Sequence, residues 1–119
     1  MTVRRGAVVL IDYPFSDRTG SKVRPALVVQ DDRWNRTLDD TVLAGISSSA
    51  RRATGAATQY RIDPITAEGR QSGLTIPSVI QCENLGTFDQ RLILKVLGSL
   101  PPTAMAAVDD CLKAALGLK

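Results

Sequence analysis

Apolar and polar positions alternate in short blocks along this chain, and only its last quarter holds a block of helical period. Residues 6–13 (Gly-Ala-Val-Val-Leu-Ile-Asp-Tyr) are rich in β-forming side chains and stop at Pro14, which predicts a first strand. In residues 26–30 the run Ala26-Leu27-Val28-Val29 is continuously apolar, as expected of a strand buried on both faces. Pro25 has no N–H and suits a strand's start or edge; it also holds Arg24 extended. Arg24 is therefore expected at the mouth of the second strand. Residues 41–46, 58–63 and 78–83 predict three further strands, and residues 92–97 a last strand or a short helix. Within 78–83, Val79 and Gln81 should point one way and Ile80 and Cys82 the other.

The intervening segments are polar. Residues 15–22 carry turn formers and read as a loop, as do residues 69–73. Residues 31–40 leave room for a short helical turn around Trp34, the only tryptophan, which is expected to cover the core. Pro101 and Pro102 end whatever precedes them. Residues 103–116 then read as a helix, with Met105, Val108, Leu112, Ala115 and Leu116 on one face and Gly117 as its stop. About six short strands and one terminal helix predict a mainly β fold, a small barrel or sandwich. With no repeat or linker, residues 1–119 are expected to form one domain.

Composition narrows the chemistry. The net charge of +3 lies wholly in the first half: residues 1–60 hold nine basic and six acidic side chains, residues 61–119 six of each. Eleven of the fifteen basic residues are Arg, whose fork binds phosphate bidentately, so an anionic partner is expected. Histidine is absent, which excludes Ser-His-Asp catalysis and the commonest metal ligand. Cys82 and Cys111 show no zinc spacing and read as reduced core thiols. Asp12 and Pro14 interrupt the first apolar run, and no stretch approaches a membrane span, so a cytoplasmic protein is expected. Ser47, Ser48 and Ser49 followed by Arg51 and Arg52 at a strand exit read either as a phosphate cradle or as a solvated loop.

Taken in order, these residues resemble the MazF/PemK toxins of toxin–antitoxin pairs over nearly the whole chain. The resemblance rests on Arg5-Gly6-Ala7-Val8-Val9 with Asp12; on Gly20 followed by Arg24-Pro25-Ala26-Leu27-Val28-Val29; on Asn35; on Ile46-Ser47-Ser48; and on residues 73–89 with Ser78-Val79-Ile80, Cys82-Glu83 and Thr87-Phe88-Asp89. It implies an SH3-like small barrel of the CcdB/PemK type and a homodimer. It further implies a metal-independent endoribonuclease, without cofactor, that cuts single-stranded RNA to 2′,3′-cyclic phosphate and 5′-hydroxyl ends. Its partner would be an antitoxin whose disordered, often acidic segment fills the RNA groove. Carried onto this chain, the resemblance makes Arg24, Ser47 and Glu83 the catalytic candidates, with Asp89 as the fallback base. Arg18, Lys22, Ser48, Arg51, Arg52 and Gln81 become the RNA-binding candidates.

Three positions depart from the family's pattern. Ser47 stands where Thr is usual and keeps the hydroxyl. Glu83 stands where one branch has Asp. Gln81 stands where that branch has a catalytic Arg, which removes a second cation and is worth ~10²-fold in rate if the site needs both charges. Two other readings remain open: an RNA- or protein-binding module of the same fold without turnover, and a CcdB-like gyrase poison.

Overall fold

The computed structural model of the chain describes residues 2–14 and 21–119. Six strands, β1 (Ala7–Pro14), β2 (Ser21–Val28), β3 (Asp40–Ser47), β4 (Gln59–Ile62), β5 (Ser78–Asp89) and β6 (Ile93–Ser99), form one sheet in the order β4-β5-β3-β2-β1-β6. Every neighbouring pair is antiparallel. Among the described residues three α-helices accompany them, α1 (Asp32–Thr37), α2 (Ala67–Ser72) and α3 (Pro102–Leu116), with a 3-10 turn at Gln90–Leu92 between β5 and β6. The sheet curls into a half-barrel with β4 and β6 as its edges, so the fold is mainly β with a C-terminal helix, as expected. Among the described residues no helix is long and apolar enough to cross a membrane.

The apolar run after Pro25 explains how the core is built. Leu27 and Val29 pack on one face with Val8, Ala44, Ile46, Ile80 and Cys82, and there α3 adds Ala104, Met105, Val108 and Cys111. Ala26 and Val28 pack on the other face with Val9, Ile11, Leu43 and Ile93. One strand thus feeds two apolar clusters, which is why its sequence does not alternate. Helix α3 presents Cys111 to the core where Leu116 was expected; Leu116 is exposed in the last turn.

Other expectations need correction. Strand β2 starts at Ser21, so Lys22 and Arg24 lie inside the strand, paired with Tyr13 and Ile11 of β1. Pro25 is accommodated because β3 pairs only with Ala26, Leu27 and Val28. Residues 69–73 are not a loop, since most of them belong to α2. The Thr66 hydroxyl accepts from the Gly69 N–H at 3.0 Å to start that helix, and Gly73 ends it at φ 78°. Trp34 does not cover the core: it is 49 % exposed, with the Arg33 guanidinium 5.9 Å from its ring. The buried member of α1 is Asn35. Arg18 and the rest of the expected loop at 15–20 lie outside the described residues.

Strand β5 runs six residues further than expected, to Asp89, and it is interrupted. Gly45 pairs with Gln81 but the adjacent Ala44 pairs with Leu85, so Cys82, Glu83 and Asn84 form a bulge.

Candidate functional site

The face of the sheet opposite α3 holds a groove of about 440 Å³. Its floor is apolar, with Ile11, Ala26, Leu43 and Phe88, and its rim carries Arg24, Ser47, Arg51, Arg52, Gln81 and Asn84. Strand register assembles this set. Ala26 pairs with Gly45, and Gly45 with Gln81, so three strands meet in one row across the floor. Arg24 lies two residues before Ala26 and Ser47 two residues after Gly45, and both line the groove. A guanidinium and a hydroxyl far apart in sequence therefore line the same groove.

Glycine opens the floor. A Cβ at Gly45 would lie 2.6 Å from Nδ2 of Asn84, and one at Gly86 would lie 2.6 Å from the Phe88 ring. Both side chains can lie across the sheet only because those positions have none. The amide of Asn84 and the ring of Phe88 are thereby presented to whatever fills the groove.

The charge balance favours an anion. Arg24, Arg51 and Arg52 all line the groove. The ion pairs among the described residues, Arg5–Asp109 and Arg91–Asp89, leave all three unneutralised. Gln81 is 5 % exposed at the groove wall and contributes a neutral amide. The Ser47 Oγ accepts from the Ser49 N–H at 3.1 Å, which leaves its own proton to donate. Ser48 lines a neighbouring hollow of about 410 Å³ that shares Ser47 and Ser49 with the groove. Lys22 is exposed on β2 and does not line the groove.

Neither carboxylate candidate is presented to the groove. Glu83 accepts from the Thr58 hydroxyl at 2.8 Å through Oε1, and from Gln59 Nε2 at 2.8 Å and Gln81 Nε2 at 3.5 Å through Oε2. Burial pushes its pKa up, but the hydrogen bonds from Gln59, its own backbone, Thr58 and Gln81 outweigh that and hold it below the usual carboxylate value. Asp89 accepts from the Arg91 side chain at 2.8 Å and from its N–H at 2.8 Å, which lowers its pKa to about 2. It sits with Thr2, Asn35 and Arg36 at a separate hollow. Among the described residues no three His, Cys, Asp or Glu side chains gather as metal ligands would.

Arg24, Ser47, Arg51, Arg52 and Gln81, expected from sequence, are brought together; Glu83 stands behind Gln81. Asn84 was not among the expected residues, because its position depends on the bulge. The one available signal was Gly45 inside an apolar strand, which marks a close approach by another group.

Comparison with known proteins points in one direction. Residues 4–116 match the family described as PemK-like, MazF-like toxin of type II toxin-antitoxin system. The endoribonuclease EndoA of Bacillus subtilis (strain 168) is 31% identical over 119 residues, covering 99% of this chain and 97% of that protein. The endoribonuclease MazF of Staphylococcus epidermidis is 30% identical over 117 residues, covering 98% of this chain and 92% of that protein. Among solved structures, a mycobacterial endoribonuclease in complex with its cognate antitoxin superposes with a TM-score of 0.76 at 24% identity, covering 98% of this chain and 97% of that one. The MazE-MazF complex (Form-III) of Deinococcus radiodurans gives a TM-score of 0.75 at 21% identity, with 100% of both chains covered.

Proposed function

The chain belongs to the PemK-like, MazF-like toxins of type II toxin–antitoxin systems, and from that premise we propose that it is a sequence-specific, metal-independent endoribonuclease acting on single-stranded RNA. The observation that carries the reading is the meeting of Arg24, Ser47, Arg51 and Arg52 at one groove, with none of the three arginines paired to a carboxylate among the described residues.

The chemistry follows from those groups. The 2′-hydroxyl attacks the adjacent phosphorus, the bond to the 5′-oxygen breaks, and the products are a 2′,3′-cyclic phosphate and a 5′-hydroxyl. Negative charge grows on the non-bridging oxygens in the transition state. Arg24, fixed on a paired strand, and the Ser47 hydroxyl in the same groove meet that charge with little reorganisation. Arg51 and Arg52 hold neighbouring phosphates. The apolar floor and the Phe88 ring accept unstacked bases, which is how single strands are read. Gln81 supplies a hydrogen bond and no charge, so turnover is expected to be slower by ~10²-fold than in a site with Arg there.

The same groove-lining cations would receive an acidic, disordered antitoxin segment, so the antitoxin inhibits by occupying the groove. In this reading residues 1–119 are one toxin domain, a homodimer of it acts in the cytoplasm, and RNA cleavage stops translation.

The test is direct. Purified protein, free of antitoxin and with EDTA present, is incubated with a long single-stranded RNA, and the fragment ends are mapped. Discrete cuts with 5′-hydroxyl ends, lost in Arg24→Ala, are expected. Intact RNA from folded protein overturns the reading.

A further inference from the structure

Arg51 and Arg52 lie in a segment with few ties to the sheet. Its own turns run from the Arg52 N–H to Ser49 O at 3.1 Å and from the Ala53 N–H to Ala50 O at 3.3 Å. Neither bond reaches a strand. Among the described residues, the hydrogen bonds that fasten residues 50–56 to the sheet all run through one residue, Gln59, the first of β4. Its Oε1 accepts from the Thr54 N–H at 3.0 Å, its Nε2 donates to Arg52 O at 2.8 Å, and its backbone N–H donates to Ala56 O at 3.0 Å.

The amide has only one workable orientation. Nε2 faces a carbonyl and a carboxylate, both pure acceptors, while Oε1 faces an N–H; flipping it would break all three side-chain bonds. What fixes the orientation is Glu83, whose Oε2 takes the second Nε2 proton at 2.8 Å while its Oε1 is held by Thr58 at 2.8 Å. Glu83 is placed there by the bulge in β5, which is on the far side of β4's pairing partner Gln81.

We infer that Gln59 is a positioning residue that clamps the Arg51–Arg52 segment to the groove, and that Glu83 is the anchor of this clamp and not the base that takes the 2′-hydroxyl proton. The inference rests on the RNA-cleaving reading for its catalytic half only. A carboxylate whose two oxygens already accept hydrogen bonds, and whose proton affinity those bonds reduce, is poorly suited to accept a proton. Its charge serves instead to pin an amide that pins two arginines.

The experiment uses the full chain and the variants Gln59→Ala, Glu83→Ala and the pair together. Three quantities are read: hydrogen exchange at the Thr54 amide, affinity for a short single-stranded oligonucleotide blocked by 2′-deoxy substitution at the mapped cut site, and the kcat and KM of cleavage. Where no cut is found, an all-deoxy oligonucleotide replaces the probe. In Gln59→Ala, Thr54 exchange should quicken at least tenfold, and affinity should fall about tenfold, as for the loss of one to two phosphate contacts. KM should rise with it, while kcat changes less than threefold. Glu83→Ala should reproduce the affinity loss, and the double variant should lose no more than either single, since both break one device.

Unchanged Thr54 exchange in folded Gln59→Ala overturns the clamp. A fall in kcat of ~10²-fold in Glu83→Ala with affinity intact makes Glu83 the base and overturns the other half. A wild-type protein that cuts no RNA defeats the proposed function alone, because Thr54 exchange and oligonucleotide affinity still decide the clamp.

Discussion

Replacing Asn35 tests how α1 is held to the sheet. The residue is 1 % exposed and its side chain uses both ends. Oδ1 accepts from the Thr41 hydroxyl at 2.7 Å and from Gln30 Nε2 at 3.0 Å; Nδ2 donates to Gln30 O at 3.0 Å and to Asp32 Oδ1 at 3.4 Å. Asn35→Ala removes all four. Gln30 is partly exposed and still donates to Asp40 O at 2.9 Å, so water and that bond recover much of its share. Thr41 is fully buried and its hydroxyl has no other partner among the described residues. A stranded buried hydroxyl costs about 1–3 kcal/mol, and the remaining bonds contribute about 1 kcal/mol each before water repays part. The expected loss is about 3–4 kcal/mol. With an unfolding entropy of ~2.1 cal/mol/K per residue over 119 residues, that is a fall in Tm of about 12–16 °C.

Asn35→Asp sharpens the test. It keeps both Oδ1 bonds but aims a second oxygen at a carbonyl and at the Asp32 carboxylate. Burial and that neighbour raise the new carboxyl's folded-state pKa above its unfolded value. Its stability contribution is therefore present at low pH and lost as pH rises through the folded pKa. Urea unfolding followed by circular dichroism at pH 5 and pH 8 reads both variants, with the exposed Trp34→Ala as a control expected to cost under ~1 kcal/mol. A loss below ~1 kcal/mol in Asn35→Ala, or an Asn35→Asp variant as stable relative to wild type at pH 8 as at pH 5, would refute the reasoning.

Other outcomes follow from the same geometry. Arg24→Lys keeps the charge but loses the fork, and single-turnover cleavage should slow by ~10–10²-fold with the fold intact; an unchanged rate contradicts bidentate phosphate contact. Gly45→Ala should displace the Asn84 side chain, a flexible end that can give way, so stability stays within ~1 kcal/mol while the mapped cut sites change; identical sites would remove Asn84 from base recognition. On the acid side, the Arg91 side chain holds Asp89 at about 2, and hydrogen bonds from the Arg5 N–H and Asn35 lower Asp32. Both folded-state values lie below the ordinary 3.8, so their stabilisation is complete above it and disappears as pH falls through the folded values. The melting temperature should hold from pH 7 to about 5 and drop between about pH 4 and 2, less steeply in Asp89→Asn. Burial pushes the Cys82 thiol up to about 12 and also raises Cys111. Neither should react with a thiol reagent at pH 8 until urea unfolds the chain; rapid labelling of the native protein would place a thiol at the surface.

Sequence pattern located the strands because runs such as Val8 to Ile11 and Ala26 to Val29 state their burial directly. It under-read β5, whose second half, Leu85-Gly86-Thr87-Phe88-Asp89, has weak strand propensity and is held by pairing with β3. Helix α2 was hidden by Gly69 in its middle, although Thr66 ahead of it and Gly73 behind it were cap signals. Trp34 is exposed where core cover was expected, and the burial of its neighbour Asn35 was not legible, since nothing local shows that Thr41 and Gln30 will satisfy a buried amide. At the groove, Ser47, Arg51 and Arg52 stood out as hydroxyl and basic residues at a strand exit and Arg24 by its place before Pro25 and an apolar run, and the family resemblance joined them into one site. Asn84 and the Gln59–Glu83 contact were not, because both depend on where three bulged residues fall.

That bulge also sets where the chain can change length. On either side of Cys82, Glu83 and Asn84 the ladders are continuous, Gly45 with Gln81 and Ala44 with Leu85. One more residue among the exposed Glu83 and Asn84 would be absorbed without altering which side chains face inward on either flank. One more residue at Ile80 would turn the preceding side chains to the opposite face and expose the core. Diversification among descendants of this chain, and loop grafting in the laboratory, should therefore concentrate at 83–84, beside the groove wall, where an altered length reshapes what the groove accepts and spares the sheet.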